Sequence, residues 1–89
     1  MTEQEEWKKL LLHTVGAREN VPAKEHGYRN HYCATIGSTT ESHFMAMVAA
    51  GYAVIGELNG TTTRYFHATK AGCEFAGLSR AATKRALED

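Results

Sequence analysis

Apolar residues fall at helical spacing in two stretches of this chain and pack densely, as in strands, in a third. Trp7, Leu10, Leu11 and Val15 recur near a helical period. Thr2 followed three residues later by Glu5 forms a capping box, in which each residue satisfies the other's free backbone N–H, and Gly16 is a natural stop. A first helix is therefore expected over about residues 3–15, with Trp7 as its main anchor. Ser38-Thr39-Thr40 is an N-cap cluster with Glu41 in the first turn. Phe44, Met45, Val48 and Ala49 then form one apolar stripe, and Gly51 closes a second helix over about 40–50.

Tyr52 to Leu58 is strand-like, Asn59-Gly60 is a two-residue hairpin signal, and Thr61 to His67 is β-branched and aromatic. A two-residue loop would set Leu58 opposite Thr61 and Ile55 opposite Arg64. Ala53, Ile55 and Phe66 then share the core face, while Val54, Tyr65 and His67 share the other. Thr69 caps a short helix through Ala71, Cys73, Phe75 and Ala76, stopped by Gly77, and Ser79 caps a last one through Ala81, Ala82, Ala86 and Leu87. The expected core is Trp7, Leu11, Phe44, Val48, Ile55 and Phe66.

Residues 16–38 resist this reading. Gly16, Pro22, Gly27 and Gly37 interrupt them, and Pro22 excludes a helix running through Asn20-Val21. Their dense part is Tyr28 to Ala34. More than 20 residues without regular structure is unusual in a compact domain. Either a short helix or strand hides there, or the segment is a functional loop pinned by its aromatics.

Composition narrows the function classes. The chain has 89 residues, the size of one domain, spanning 1–89. Ten basic and ten acidic residues leave no net charge. A neutral chain is a poor general polyanion binder, because such affinity comes from a surplus of Lys and Arg. No apolar run reaches the roughly 18 residues of a membrane helix. The opening Thr2-Glu3-Gln4-Glu5-Glu6 is acidic where a secretory signal would be basic. The expectation is a cytoplasmic protein without membrane contact, with Cys33 and Cys73 reduced and unlinked.

Two resemblances follow from these elements. Residues 40–78 resemble the second half of a winged helix-turn-helix domain. The shared features are a helix ending in Gly51-Tyr52-Ala53, a two-stranded wing, and the run Tyr65-Phe66-His67-Ala68-Thr69-Lys70-Ala71-Gly72. The resemblance implies a small winged-helix-like α+β domain, its helices packed on a two-stranded antiparallel hairpin. It also implies DNA binding as a transcriptional regulator. Leu11 to Gly16, Tyr28 to Tyr32 and the helix–wing unit are together similar to short proteins of phages and prophages. That likeness implies a context, the cytoplasm of a phage host, and no activity.

The residues decide between functions as follows. A groove-reading helix needs Arg, Lys, Asn or Gln at its exposed positions. Thr40 to Ala50 holds none of these. Nucleic-acid contact would fall to Arg64 on the wing and to Arg80, Lys84 and Arg85 near the C-terminus, a cluster equally suited to a solvated helix face. The five histidines are scattered and the two cysteines, Cys33 and Cys73, form no C-x₂₋₄-C pair of the kind by which zinc sites declare themselves, so no metal and no other cofactor is expected. A thin core rarely builds a water-excluding cleft, which argues against an enzyme and leaves no catalytic residue to name.

The expected partner is a protein, from host or phage or a second copy in a homodimer, with DNA the alternative. Tyr28, Arg29, Asn30, His31 and Tyr32 form one candidate contact, and His43 and Met47 on the second helix form another. For Arg29-Asn30-His31 a structural account competes, in which the side chains hydrogen-bond loop backbone that lacks a ladder. That account is the stronger, because so long an irregular segment must satisfy its backbone somehow.

Overall fold

A computed structural model describes residues 2–17 and 22–88. The order is α1 (Glu3–Thr14), a 3₁₀ turn (Ala23–Glu25), β1 (Tyr32–Thr35), α2 (Thr39–Ala50), β2 (Ala53–Asn59), β3 (Thr63–Ala68), α3 (Lys70–Phe75) and α4 (Arg80–Glu88). The described residues thus form a mixed α+β fold with four helices and a three-stranded antiparallel sheet, ordered β1-β3-β2. Of the irregular stretch, residues 18–21 lie outside the described residues.

The caps read from sequence are in place. Thr2 Oγ1 accepts from the Glu5 N–H at 3.1 Å, and Ser38 Oγ accepts from the Glu41 N–H at 3.1 Å. Thr69 Oγ1 accepts from the Gly72 N–H at 3.0 Å and donates to the Gly51 carbonyl at 2.7 Å, joining the start of α3 to the end of α2. Gly51 ends α2 at φ +86°, a left-handed conformation that a Cβ would strain. Trp7 is only half-buried, edge-on to Tyr52 and Phe75. Leu10, Leu11, Thr14 and Val15 carry the buried face of α1 instead.

The sheet departs from the expected hairpin in three ways. First, it has a third strand. β1 pairs with β3 through Tyr32↔Phe66, Cys33↔Tyr65, Ala34↔Arg64 and Thr35↔Thr63. Second, the loop is Gly60-Thr61-Thr62 rather than Asn59-Gly60, so Asn59 opposes Thr63 and Leu58 opposes Arg64. Thr63 Oγ1 donates to the Asn59 carbonyl at 2.8 Å and closes this wider turn. Third, β2 bulges between Ile55 and Leu58: Gly56 and Glu57 together oppose Tyr65, so Ile55 stands opposite Phe66 and not the expected Arg64. Opposed residues share a face, so Ala53, Ile55, Phe66 and Ala68 do lie on one side. Yet Ile55 is 44% exposed, because β2 is an edge strand and Ile55 extends beyond the packed centre.

The core is organised by an aromatic stack. Phe44 of α2 lies parallel to Phe66 at 4.8 Å and tilted against Tyr32 at 4.9 Å. Aligned on that stack, the next turn of α2 directs Met47 inward and leaves Val48 half-buried. Met45 and Ala49, expected on the apolar stripe, turn to solvent. One cluster of buried side chains then links Leu11, Val15, Phe44, Met47, Phe66 and Cys73.

Between β1 and α2 the chain has residues 36–38 and no helix. The helix that precedes the recognition helix in a helix-turn-helix is therefore not formed at that place. The hairpin following α2, the part that resembles a wing, is formed.

Candidate functional site

Arg29 and Asn30 do hydrogen-bond backbone, as the structural account expects, but the backbone is that of α1 and β3 and not of the loop, and His31 takes part through its main chain. The last carbonyls of α1 have no partner within the helix and must find one elsewhere. Arg29 Nη2 donates to the His13 carbonyl at 2.7 Å, and the His31 N–H donates to the Thr14 carbonyl at 3.1 Å. The Gly27 N–H reaches the Val15 carbonyl at 2.9 Å. Asn30 does more. Its Oδ1 accepts from the Ala68 N–H at 2.7 Å and its Nδ2 donates to the Ala68 carbonyl at 3.0 Å. In register, Asn30 is the residue that would oppose Ala68 if β1 continued past Tyr32↔Phe66. The side-chain amide replaces the missing ladder pair.

The same segment is held from its other side. Gly27, at φ +85°, lies so close to α4 that a Cβ would stand 2.1 Å from the Ala82 carbonyl oxygen. Arg85 Nε donates to the His26 carbonyl at 3.0 Å. Arg85, named for nucleic acid, is thereby engaged in fastening α4 to the loop. Tyr28 is exposed with the Arg29 guanidinium over its ring at 5.5 Å, and Tyr32 is half-buried in the aromatic stack. Of the Tyr28–Tyr32 candidates, Tyr28 and His31 keep an accessible side chain.

The second-helix candidates divide. His43 is half-buried, and Met47 is wholly buried, so Met47 is a core residue and no contact residue. The exposed positions of α2 are Thr39, Ser42, Met45, Ala49 and Ala50, a surface without any charge. Arg64 is half-buried on the helix-facing side of the sheet, opposite Ala34 and Leu58. Arg80 and Lys84 are exposed on α4 beside a groove shared with Lys70, Glu74 and Glu88. Two carboxylates among three cations there give no strongly positive field.

No family model, no curated protein sequence and no solved structure matches the chain. Function must be read from the surface itself. Among the described residues no three His, Cys, Asp or Glu side chains gather as a metal site, and no helix is long and apolar enough to cross a membrane.

Sequence reasoning missed the surface richest in exposed apolar groups. Val54 (47%) on one face of β2 and Ile55 (44%) and Leu58 (55%) on the other are all exposed, and among the described residues no strand pairs with the outer edge of β2. The signal was present: Ala53-Val54-Ile55 has no polar alternation, so one large residue had to face outward whichever phase was chosen. On the helices the exposed counterparts are Met45 (43%) of α2 and Leu87 (45%) of α4.

The cysteines differ in accessibility. Cys33 is exposed on β1 and Cys73 is buried in α3, and they are unlinked. Burial, and secondarily the Glu74 carboxylate, push the Cys73 thiol above its ordinary value. A disulfide-exchange reagent at neutral pH is expected to titrate one thiol rapidly and the second only on unfolding. The linkage has a definite sign. A raised thiol value means the unfolded chain ionises first, so Cys73 lowers stability as pH climbs past the ordinary thiol range. Two thiols reacting at equal rates in the native state would contradict the burial.

Proposed function

We propose that this winged-helix-like chain is a non-enzymatic binding protein whose partner is another protein, of phage or host origin or a second copy of itself. The observation that carries the reading is β2: three large apolar side chains exposed on an edge strand that contains neither Lys nor Pro. The bulge at Gly56-Glu57 interrupts the edge ladder, so side chains rather than a continuous run of backbone hydrogen bonds carry the contact. The uncharged outer side of α2 supports the same reading, as does zero net charge, which offers no long-range repulsion between copies.

The DNA reading has less to stand on. The exposed side of α2 presents no base-reading group, Arg85 is bonded to His26, and no helix stands directly before α2.

The test is the mass in solution over a range of concentrations, for the wild type and for the double variant Ile55→Lys, Leu58→Lys. Both positions are exposed, so the variant is expected to fold normally. Wild-type mass is expected to rise with concentration, with a dissociation constant of roughly micromolar order, and the variant is expected to stay monomeric. Duplex DNA should bind negligibly at physiological salt. A salt-tolerant, sequence-selective complex with duplex DNA would overturn the reading in favour of a regulator.

A further inference from the structure

Tyr65 and His67, on the sheet face away from Phe66, border together with His31, Gly56, Glu57 and the edge residue Ile55 a groove of about 690 Å³. Its chemistry is one-sided. His67 Nδ1 lies 2.7 Å from the Asn30 carbonyl oxygen. A carbonyl can only accept, so Nδ1 is the nitrogen that donates there, and in the singly protonated ring this tautomer leaves Nε2 as an acceptor. Gly56 preserves the space around that nitrogen: a Cβ there would stand 2.7 Å from Nε2 and 3.0 Å from the Tyr65 carbonyl oxygen. The β-bulge places this glycine, and Glu57 directly after it, against the groove. Glu57 is the one charged residue of the lining among the described residues. Tyr65 and His31 stand edge to face, with centroids 6.1 Å apart and planes at 84°, and supply aromatic surface.

A carboxylate, an imidazole acceptor and aromatic faces, with no Lys or Arg beside them, complement a cation that also donates hydrogen bonds. We propose that this groove receives the guanidinium of an arginine side chain presented by a partner protein. A guanidinium fits better than an ammonium. It is planar, stacks on aromatic rings, is more weakly hydrated, and its forked donors can reach two acceptors at once. No three ligands gather here for a metal ion. Ile55 borders both the groove and the apolar surface of β2, so the arginine would sit beside an apolar group of the same partner. The proposal rests on the protein-binding reading and names the chemistry of the partner.

The test uses the full chain and an isolated probe, N-acetyl-arginine methylamide, followed by NMR of backbone amides and histidine rings. Saturable shifts are expected around residues 31, 56, 57, 65 and 67, with a dissociation constant on the order of 1–10 mM. The lysine counterpart is expected to bind at least about fivefold more weakly. Glu57→Gln, at an exposed position, and Gly56→Ala, which intrudes on His67, should each weaken arginine about fivefold or more. The absence of saturation, an equal response to lysine, or unchanged affinity in Glu57→Gln would overturn the proposal. Shifts of the same residues with zinc chloride and none with arginine would overturn it too, assigning the groove to a metal. Arginine binding that survives while the β2 variant leaves association unchanged would keep this pocket and discard the β2 surface.

Discussion

Phe66→Ala is expected to be among the most damaging truncations in the chain, costing about 3–5 kcal/mol. Phe66 is fully buried on the central strand of the sheet. Its ring stacks on Phe44 at 4.8 Å, and Phe44 in turn meets Tyr32. One ring therefore fixes α2 against the sheet and closes β1 beneath it. A domain of this size buries only around 60% of the surface its unfolded chain exposes, and total stability is of the order of 5–15 kcal/mol. The loss removes much of the margin. Thermal or denaturant unfolding measures it directly. Phe66→Leu is expected to cost far less, since it keeps most of the volume. A midpoint for Phe66→Ala close to the wild type would mean that the stack does not organise the core.

How much of this was legible in the sequence follows from the range of the interactions. Helix caps depend on residues three or four apart, and Thr2, Ser38, Thr69 and Ser79 all cap as expected. The core phenylalanines were also readable, being large and apolar at the inward phase of α2 and β3. Met47 against Met45 was not, because both are apolar and only the contact of Phe44 with Phe66 and Tyr32 sets the phase. β1 was hidden for a related reason. It is four residues long, and its partner β3 lies about thirty positions further on. The hairpin register was missed at the turn, where Leu58 opposes Arg64 and not Thr61, and the bulge takes back one position, so that Ile55 opposes Phe66 and not Arg64. Arg29 and Asn30 could be named as backbone partners from sequence, but the carbonyls they serve belong to α1 and β3. The groove at His67 joins His31, just before β1, with residues of β2 and β3, and no local pattern brings those together.

Asn30→Ala is the second large effect, and it separates a structural asparagine from a recognition residue. Ala68 is buried, and both of its backbone polar groups face Asn30. Removing the amide leaves a buried N–H and a buried carbonyl without these partners, at about 1–3 kcal/mol each. A total of about 2–6 kcal/mol is therefore expected, which is large for a half-buried polar side chain. Asn30→Asp is the sharper variant. It retains an acceptor for the Ala68 N–H but sets an anionic oxygen against the Ala68 carbonyl where Nδ2 had donated. It should not rescue the fold, whereas an asparagine serving a partner would leave stability untouched by either change. Hydrogen exchange reads the mechanism: the Ala68 amide should lose its protection in Asn30→Ala while the Phe66 amide, paired further along β3, keeps more of its own. Wild-type protection at Ala68 in that variant would show that something other than the Asn30 amide completes the ladder.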